Sequence, residues 1–471
     1  QKQSVLVEHD LVEVQGLFLR KEKSALSPRK LSKDFQTNIA LLGLEERNLQ
    51  ERFAQKVQKC LQEENISFIQ AQTGIGKTYG YLLPALSLEN EGGILLSVPT
   101  KILQNQVMHE EAKKLEEIFH ISIHSLKGPQ NYLKLDAFHA VLEEEESNRL
   151  YTRFKMQLLV WLTETYTGDL DEIGQLYRYQ QFLPNLVHDG NLHKDSLFWL
   201  EDFWRRGQEK ARSCKLLVTN HAYLVTRLED DPSLLEGRFL ILDEAQKILL
   251  TLENLSRKTY LLTDLLEQLD QALSTEEGML ERRLLESIRF ELSYLLEQFL
   301  SGKRKMCPAS SIDKLQQDFS ELNLPEFKDY QRFFSSEGEF WLSVSELSSK
   351  KIEIASSRDQ RLLFSQIFPE SCQLLGISAN LEISSRVSLP ELLGFPQANI
   401  YYLDEQFQEN QEIFLVNNFP LVTEVSLEEY ALAVVEVLEE LFQFEEPILV
   451  LFTAKDLLLQ VSDTLRIPHL A

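Results

Sequence analysis

Six short apolar runs punctuate this chain: ISFIQ (66–70), GILLSV (93–98), KLLVT (215–219), FLILD (239–243), LLGIS (374–378) and ILVLF (448–452). Each has the length and nearly unbroken apolar character of a strand covered on both faces. Segments of helical period separate them. That spacing requires crossover connections, and so predicts a mostly parallel sheet. The residues just after each run are small and polar: AQTGIGKT, PTKILQNQ, NHAYL, DEAQ, SANL and TAK. In a parallel sheet all six endings emerge on one side, where open α/β sheets hold their ligands. With 471 residues the chain has room for about three domains.

Two long stretches interrupt the pattern. Residues 127–210 read as helical and aromatic-rich, with Tyr132, Tyr151, Trp161, Tyr177, Tyr179, Phe198, Trp199 and Trp204. Core packing is the expected role for most of these rings, and base stacking the alternative. Residues 251–365 place Leu262, Leu265, Leu269 and Leu273, then Leu280, Leu284, Ile288, Leu292, Leu295 and Phe299, at three-to-four spacing. That is the apolar stripe of amphipathic helices. Residues 1–35 read as a connector. Within it RKEKSALSPRKLSK (20–33) carries six basic residues and one acidic, either a charged tether or a contact for nucleic acid or a partner.

The segment Ala71-Gln72-Thr73-Gly74-Ile75-Gly76-Lys77-Thr78 is a phosphate loop, departing from GxxxxGK[ST] only at Ala71. Gly74 and Gly76 let the backbone curl so that successive N–H groups converge on phosphate oxygens. The helix that begins there adds its positive end. Lys77 is expected to reach the β and γ phosphates of ATP, and Thr78 to hold Mg²⁺ through its hydroxyl. Asp243 and Glu244 close the fourth run. Paired with the loop, Asp243 becomes a second Mg²⁺ ligand and Glu244 the group that polarises the attacking water. Upstream, Arg47 and Gln50 are candidates for the nucleotide base, because a glutamine amide matches the adenine edge.

A net charge of −25 argues against a protein that coats nucleic acid with a basic face. Neutral hydroxyl and amide groups on strand-end loops remain able to bind a nucleic-acid backbone. Thr100, Gln104, Asn220 and His221 are such groups. The cysteines Cys60, Cys214, Cys307 and Cys372 are scattered and form no CxxC. This composition points to a reducing compartment, hence a cytoplasmic protein, without a disulfide framework or zinc ribbon. No apolar run is long enough for a membrane helix, and QKQSVLVEHD has no basic-then-apolar leader pattern.

Taken together, these segments resemble the DinG branch of the XPD-like superfamily 2 DNA helicases. AQTGIGKT resembles motif I, PTKILQNQ motif Ia, LDEAQ motif II, ISANL motif III and ILVLFTAKDLL the start of motif IV. KGPQNYL (127–133), TGDL (167–170) and VTNHAYL (218–224) resemble this branch in particular. The resemblance implies an α/β fold with a RecA-like, P-loop motor domain over 36–126, 211–250 and 366–400. It implies two mainly helical insertions, at the iron–sulfur position (127–210) and the arch position (251–365). A second RecA-like domain would begin at 401–471. Residues 31–54 resemble the joint that comes after a proofreading-type exonuclease in fused members, so 1–35 is expected to lead from such a domain. The partner implied is single-stranded DNA, with Asn131 and Tyr132 added to its contacts. Gln246, Ser378 and Ala379 would couple hydrolysis to strand movement.

Three departures matter. Lys134 stands where cluster-bearing members have cysteine, and 127–210 holds no cysteine, so no iron–sulfur cluster is expected there. Gln246 and Asn380 replace the histidine of motif II and the threonine of motif III. The sequence stops at Ala471, before the arginine-bearing motif that in this family is worth roughly 10³–10⁵ in rate. This stretch alone is therefore expected to hydrolyse ATP very slowly. The expected function is ATP-driven translocation or unwinding on single-stranded DNA. The alternative is an ATP- and DNA-binding module that controls an attached 3′–5′ exonuclease.

Overall fold

The computed structural model describes residues 5–8, 10–21, 27–63, 65–88, 92–143, 148–191, 194–275, 278–335, 338–345, 348–358, 363–384, 387–403, 416, 419–421, 425–444, 447–452 and 454–467. The chain divides into a unit spanning 1–404 and a second spanning 405–471.

Three short strands open the first unit: β1 (Val5–Glu8), β2 (Leu11–Val14) and β3 (Leu17–Arg20), paired antiparallel in sequence order. Val14, Leu17 and Leu19 are buried in the same core as the 127–210 insertion. The segment expected as a connector is thus partly folded. Its LFLR alternation supplies one apolar face, and the insertion offers a place to bury it.

The central sheet has seven strands. β4 (Ile66–Gln70), β5 (Ile94–Val98), β6 (Ile123–Ser125), β7 (Leu216–Asn220) and β8 (Phe239–Leu242) come before the second insertion. The insertion itself holds β9 (Lys258–Leu261), β10 (Gly338–Ser345) and β11 (Ser348–Arg358). After it come β12 (Gln373–Ser378), the hairpin β13 (Glu382–Ser384) and β14 (Val387–Ser388), and β15 (Asn399–Tyr402). The sheet order is β15-β4-β12-β8-β5-β7-β6, and every pairing in it is parallel. β5, β7 and β8 are buried at every position, which is why they read as continuous apolar runs. Five of the six expected strands are present. The two edge strands, β6 and β15, are short and half-exposed, and carried no such run.

The sixth expected strand, ILVLF, is not one. Residues 447–452 form no regular element, and Leu449 and Leu451 are 84% and 85% exposed. A parallel strand needs a neighbour, and the described residues of this unit contain no other strand. What the unit does have is the helix Leu427–Leu441, capped by Ser426 and Glu429, packed on the helix Lys455–Thr464 through Val435, Leu438 and Val461.

The 127–210 insertion is built from the helices Leu135–Glu143 and Arg149–Leu162, 3₁₀ turns, and the helix Phe203–Ser213. Tyr132, Trp161, Tyr179, Phe198 and Trp204 are buried, whereas Tyr177 is exposed. The second insertion is less purely helical than its leucine spacing implies. Beside its helices it carries a three-stranded antiparallel sheet, in the order β10-β11-β9. Ile354 and Phe340 of that sheet share a core with Leu265, Leu292 and Phe319. Leu280, read as part of the apolar stripe, is 61% exposed; the buried stripe of its helix starts at Leu284.

Candidate nucleotide site

β4 and β8 flank β12, so the loops after these three strands lie side by side. The ladder continues past the strand ends. Ala71 N donates to Ser378 O at 2.9 Å, Ala245 N to Ile377 O at 2.8 Å, and Asp243 N to Ser97 O at 2.9 Å. These bonds fix the starts of the phosphate loop and of the DEAQ turn relative to each other.

The loop curls as its glycines predict. Gly74 and Gly76 have φ of +85° and +81°, and Gly76 caps the helix Lys77–Ser87 from the left-handed region. A Cβ on Gly76 would meet Gln50 Nε2 at 2.3 Å. Ala71, at the position of the usual first glycine, needs no positive φ. Ala71 and Ile75 are buried, and Gln72, Thr73 and Gly74 are exposed.

Lys77 Nζ is shut off from solvent and has no hydrogen-bond partner. Its charge acts on Asp243. Burial pushes the Asp243 carboxyl above its ordinary value, while Lys77 pulls it back down. Asp243 Oδ1 accepts from the Glu244 N–H at 3.0 Å, and Oδ2 from the Tyr81 hydroxyl at 3.0 Å. Tyr81 is fully buried, and burial followed by the Asp243 charge holds its phenol well above the usual value. The Thr78 hydroxyl, three residues back on the same helix, partly offsets that rise. Glu244 has φ +45°, a left-handed conformation that costs a non-glycine residue about 1 kcal/mol or more.

The residues fit a magnesium nucleotide. A buried ammonium with no hydrogen-bond partner among the described residues has room for an anion beside Asp243, and the glycine curl in front of it offers backbone donors. Thr78 and Asp243 supply hard oxygen ligands of the kind Mg²⁺ takes alongside phosphate. A cavity of about 400 Å³ lined by Arg212, Arg227 and Arg238 lies at the other end of the sheet, where β8 begins.

Gln50 is not presented to a base. It is 5% exposed, and its Nε2 donates to Gly76 O at 2.8 Å, bracing the loop from behind. Arg47 is exposed at the start of that helix. Of the coupling candidates, Ser378 Oγ lies 2.8 Å from Gln246 Oε1, so the loops after β12 and β8 touch. Ala379 is exposed beside them.

The expected DNA contacts fare worse, because most are consumed inside the protein. Gln104 is fully buried, donating to Ser125 Oγ, Leu126 O and Val218 O, and accepting from Asn220 Nδ2 at 2.9 Å. Asn220 also caps the helix His221–Asp230. Asn131 accepts from Lys101 Nζ, and the Tyr132 hydroxyl accepts from the Lys127 N–H. His221 is fully buried with Nδ1 2.8 Å from Ser97 Oγ, and burial pushes its pKa down to about 4. Polar residues at strand ends are needed to satisfy buried backbone groups there, and that demand claimed these side chains. Thr100 alone of the set is exposed, though its hydroxyl caps the helix Lys101–Val107.

Sequence reasoning missed Tyr81 and Lys127. Tyr81 was signalled by standing four residues after Lys77, on the same helix face. Lys127 was hidden inside KGPQNYL. Its ammonium is wholly buried, 2.5 Å from Asp169 and 2.8 Å from Asp171.

A parallel sheet with a phosphate loop after β4 and an acidic turn after β8 has the architecture of a P-loop nucleotide-binding domain. Residues 48–160 match the model of the DEAD/DEAH box helicase family. Among curated proteins, it is similar to the "3'-5' exonuclease DinG" of Bacillus subtilis (strain 168), 32% identical over 212 residues, covering 43% of this chain and 22% of that protein. The protein of the same name from Staphylococcus saprophyticus is 30% identical over 216 residues, 44% of this chain and 23% of that one. The chain thus matches less than a quarter of the length of these relatives. Among solved structures, an XPD helicase aligns over 90% of this chain and 75% of its own, with 15% identity and a TM-score of 0.48.

Proposed function

We propose that this chain is the ATP-hydrolysing part of a DinG-type DNA helicase that moves on single-stranded DNA. The observation that carries the reading is the buried, unpartnered Lys77 ammonium beside Asp243. In this reading, Lys77 and the N–H groups of 72–78 hold the triphosphate and stabilise the charge that builds on the γ-phosphate. Thr78 and Asp243 hold Mg²⁺, which when bound neutralises phosphate oxygens. Glu244 accepts the proton of the attacking water. The Gln246–Ser378 contact passes the change at the phosphate to the loop after β12.

The relatives' printed name, exonuclease, supports a second reading in which the same site gates an associated nuclease. Two measurements decide. Binding of a fluorescent, non-hydrolysable ATP analogue to this chain tests the pocket, and the Lys77→Ala variant is expected to lose it. ATPase and strand-displacement assays on the longer protein, with and without single-stranded DNA, test the motor. Nucleotide binding that survives Lys77→Ala would refute the site; DNA-independent turnover without displacement would favour the gate.

A further inference from the structure

The phenol of Tyr81 is a polar atom in a place where an apolar ring would pack as well. Tyr81 is fully buried on the helix Lys77–Ser87. It stands one turn beyond Lys77, so both side chains lie on the face turned toward β8. Its hydroxyl donates to Asp243 Oδ2 at 3.0 Å. Thr78 stands three residues before Tyr81 on the same helix, so its side chain lies on the same face as the phenol. The buried hydroxyl therefore stands beside both side chains that would hold Mg²⁺, bonded to Asp243 and one helical turn from Thr78.

The polarity of that chain is informative. A hydroxyl has one proton and two lone pairs. If Thr78 gives its proton to the phenol oxygen, its lone pairs are left for a cation. The phenol gives its own proton to Oδ2. The Glu244 N–H occupies one site on Oδ1, and the lone pairs that remain on the carboxylate are fixed in direction. Positioning groups behind metal ligands commonly tune affinity tenfold or more.

We propose that Tyr81 is a positioning residue that orients Thr78 and Asp243 for the divalent cation that accompanies the nucleotide. The inference rests on the nucleotide reading above and goes a step past it. Tyr81 need not touch nucleotide or metal; it acts through the two ligands. A packing residue would be served equally by phenylalanine.

The test is the Tyr81→Phe variant of this chain. The readout is binding of a fluorescent, non-hydrolysable ATP analogue, titrated with Mg²⁺ and repeated in EDTA. The expected result is a Mg²⁺ midpoint raised about 10-fold or more, with unchanged metal-free affinity and a normal melting curve. A lowered melting temperature with an unmoved Mg²⁺ midpoint would overturn the proposal, leaving Tyr81 as a helix-to-strand staple. So would equal loss of binding with and without Mg²⁺, which would mean that the phosphate loop had shifted. Tyr81→Leu, which removes ring and hydroxyl together, should raise the midpoint at least as far; a smaller rise than Tyr81→Phe would also count against it. Should the unaltered chain itself bind no nucleotide, the proposed function fails instead, and the two failures are told apart.

Discussion

Two buried lysines, fifty residues apart, are treated in opposite ways. Lys127, in the first insertion, has no exposed side-chain surface and is clasped by Asp169 and Asp171. Lys77, in the phosphate loop, has its Nζ shut off with no hydrogen-bond partner among the described residues, and with the Asp243 charge within its influence. A buried charge is tolerable when it is paired and hydrogen-bonded. The protein supplies that pairing at Lys127 and withholds it at Lys77. One lysine therefore serves the fold, and the other is held ready for an anion from outside. The carboxylates respond accordingly. Burial lifts the Asp169 carboxyl above its ordinary value; at the more exposed Asp171 burial pushes upward too, but Lys127 outweighs it and the carboxyl lies below.

The largest expected effect breaks the paired member. Lys127→Ala leaves two carboxylates facing each other, Asp169 largely buried and Asp171 partly exposed, and should cost about 3 kcal/mol of unfolding free energy, read by denaturant titration. A loss under about 1 kcal/mol would mean that the pair does not hold the insertion to the motor sheet. Lys77→Ala should do the reverse: nucleotide binding goes while stability holds or rises slightly, as when a functional strain is relieved. Adding Mg²⁺ and a non-hydrolysable ATP analogue at 100 times its Kd should stabilise the unaltered chain by about 2.7 kcal/mol and Lys77→Ala by nothing. Equal shifts in both would remove Lys77 from the site.

His221 extends the comparison to a group that is buried neutral. Burial depresses its pKa from 6.5 to about 4. Between those values the unfolded chain binds a proton that the folded chain refuses. Stability therefore falls as pH drops from about 6.5 toward 4, and is flat with respect to this group above that window. His221→Gln should reduce this acid-side loss by roughly 1–3 kcal/mol. It should not remove it, because His124 is depressed to about 4 by the same cause. An unchanged slope between pH 6.5 and 4 would mean that the ring is protonated in the folded state.

These residues also show what a sequence makes legible. The phosphate loop and acidic turn were readable because their chemistry is local: spacing fixes the glycine curl, and the strand end fixes the acids. Five buried strands were readable because burial on both faces leaves unbroken apolar runs. ILVLF has the same composition, yet pairs with nothing among the described residues; composition cannot report a missing neighbour. Gln104, Asn220 and His221 look like ligand contacts in sequence for the reason they are buried in space. Polar groups at strand ends answer either to a ligand or to the backbone, and only the fold says which. Gln50 carries the same ambiguity: an amide suited to an adenine edge is equally suited to the Gly76 carbonyl, which its Nε2 meets. The ion pair of Lys127 with Asp169 and Asp171 spans more than forty residues of chain, so no local pattern announces it.

The smallest effect is expected at Lys134, and it sharpens the contrast most. This residue stands where the family resemblance places the first cysteine of a metal cluster, and it pairs with Asp189 at 2.8 Å. An ion pair in place of a thiolate invites the idea that it substitutes for the cluster as a staple. Its surroundings argue otherwise. The two side chains are 20% and 44% exposed, so water screens the attraction and already solvates both charges. Lys134 does hold the Asp189 carboxyl well below its ordinary value, but for so exposed a pair that shift converts to little stability. Lys134→Ala should cost under about 1 kcal/mol, and less still at high salt, beside the several expected for Lys127→Ala. If the two variants proved equally damaging, burial would not be what separates them. The insertion would then be held at the cluster position after all, rather than by the buried pair beneath it.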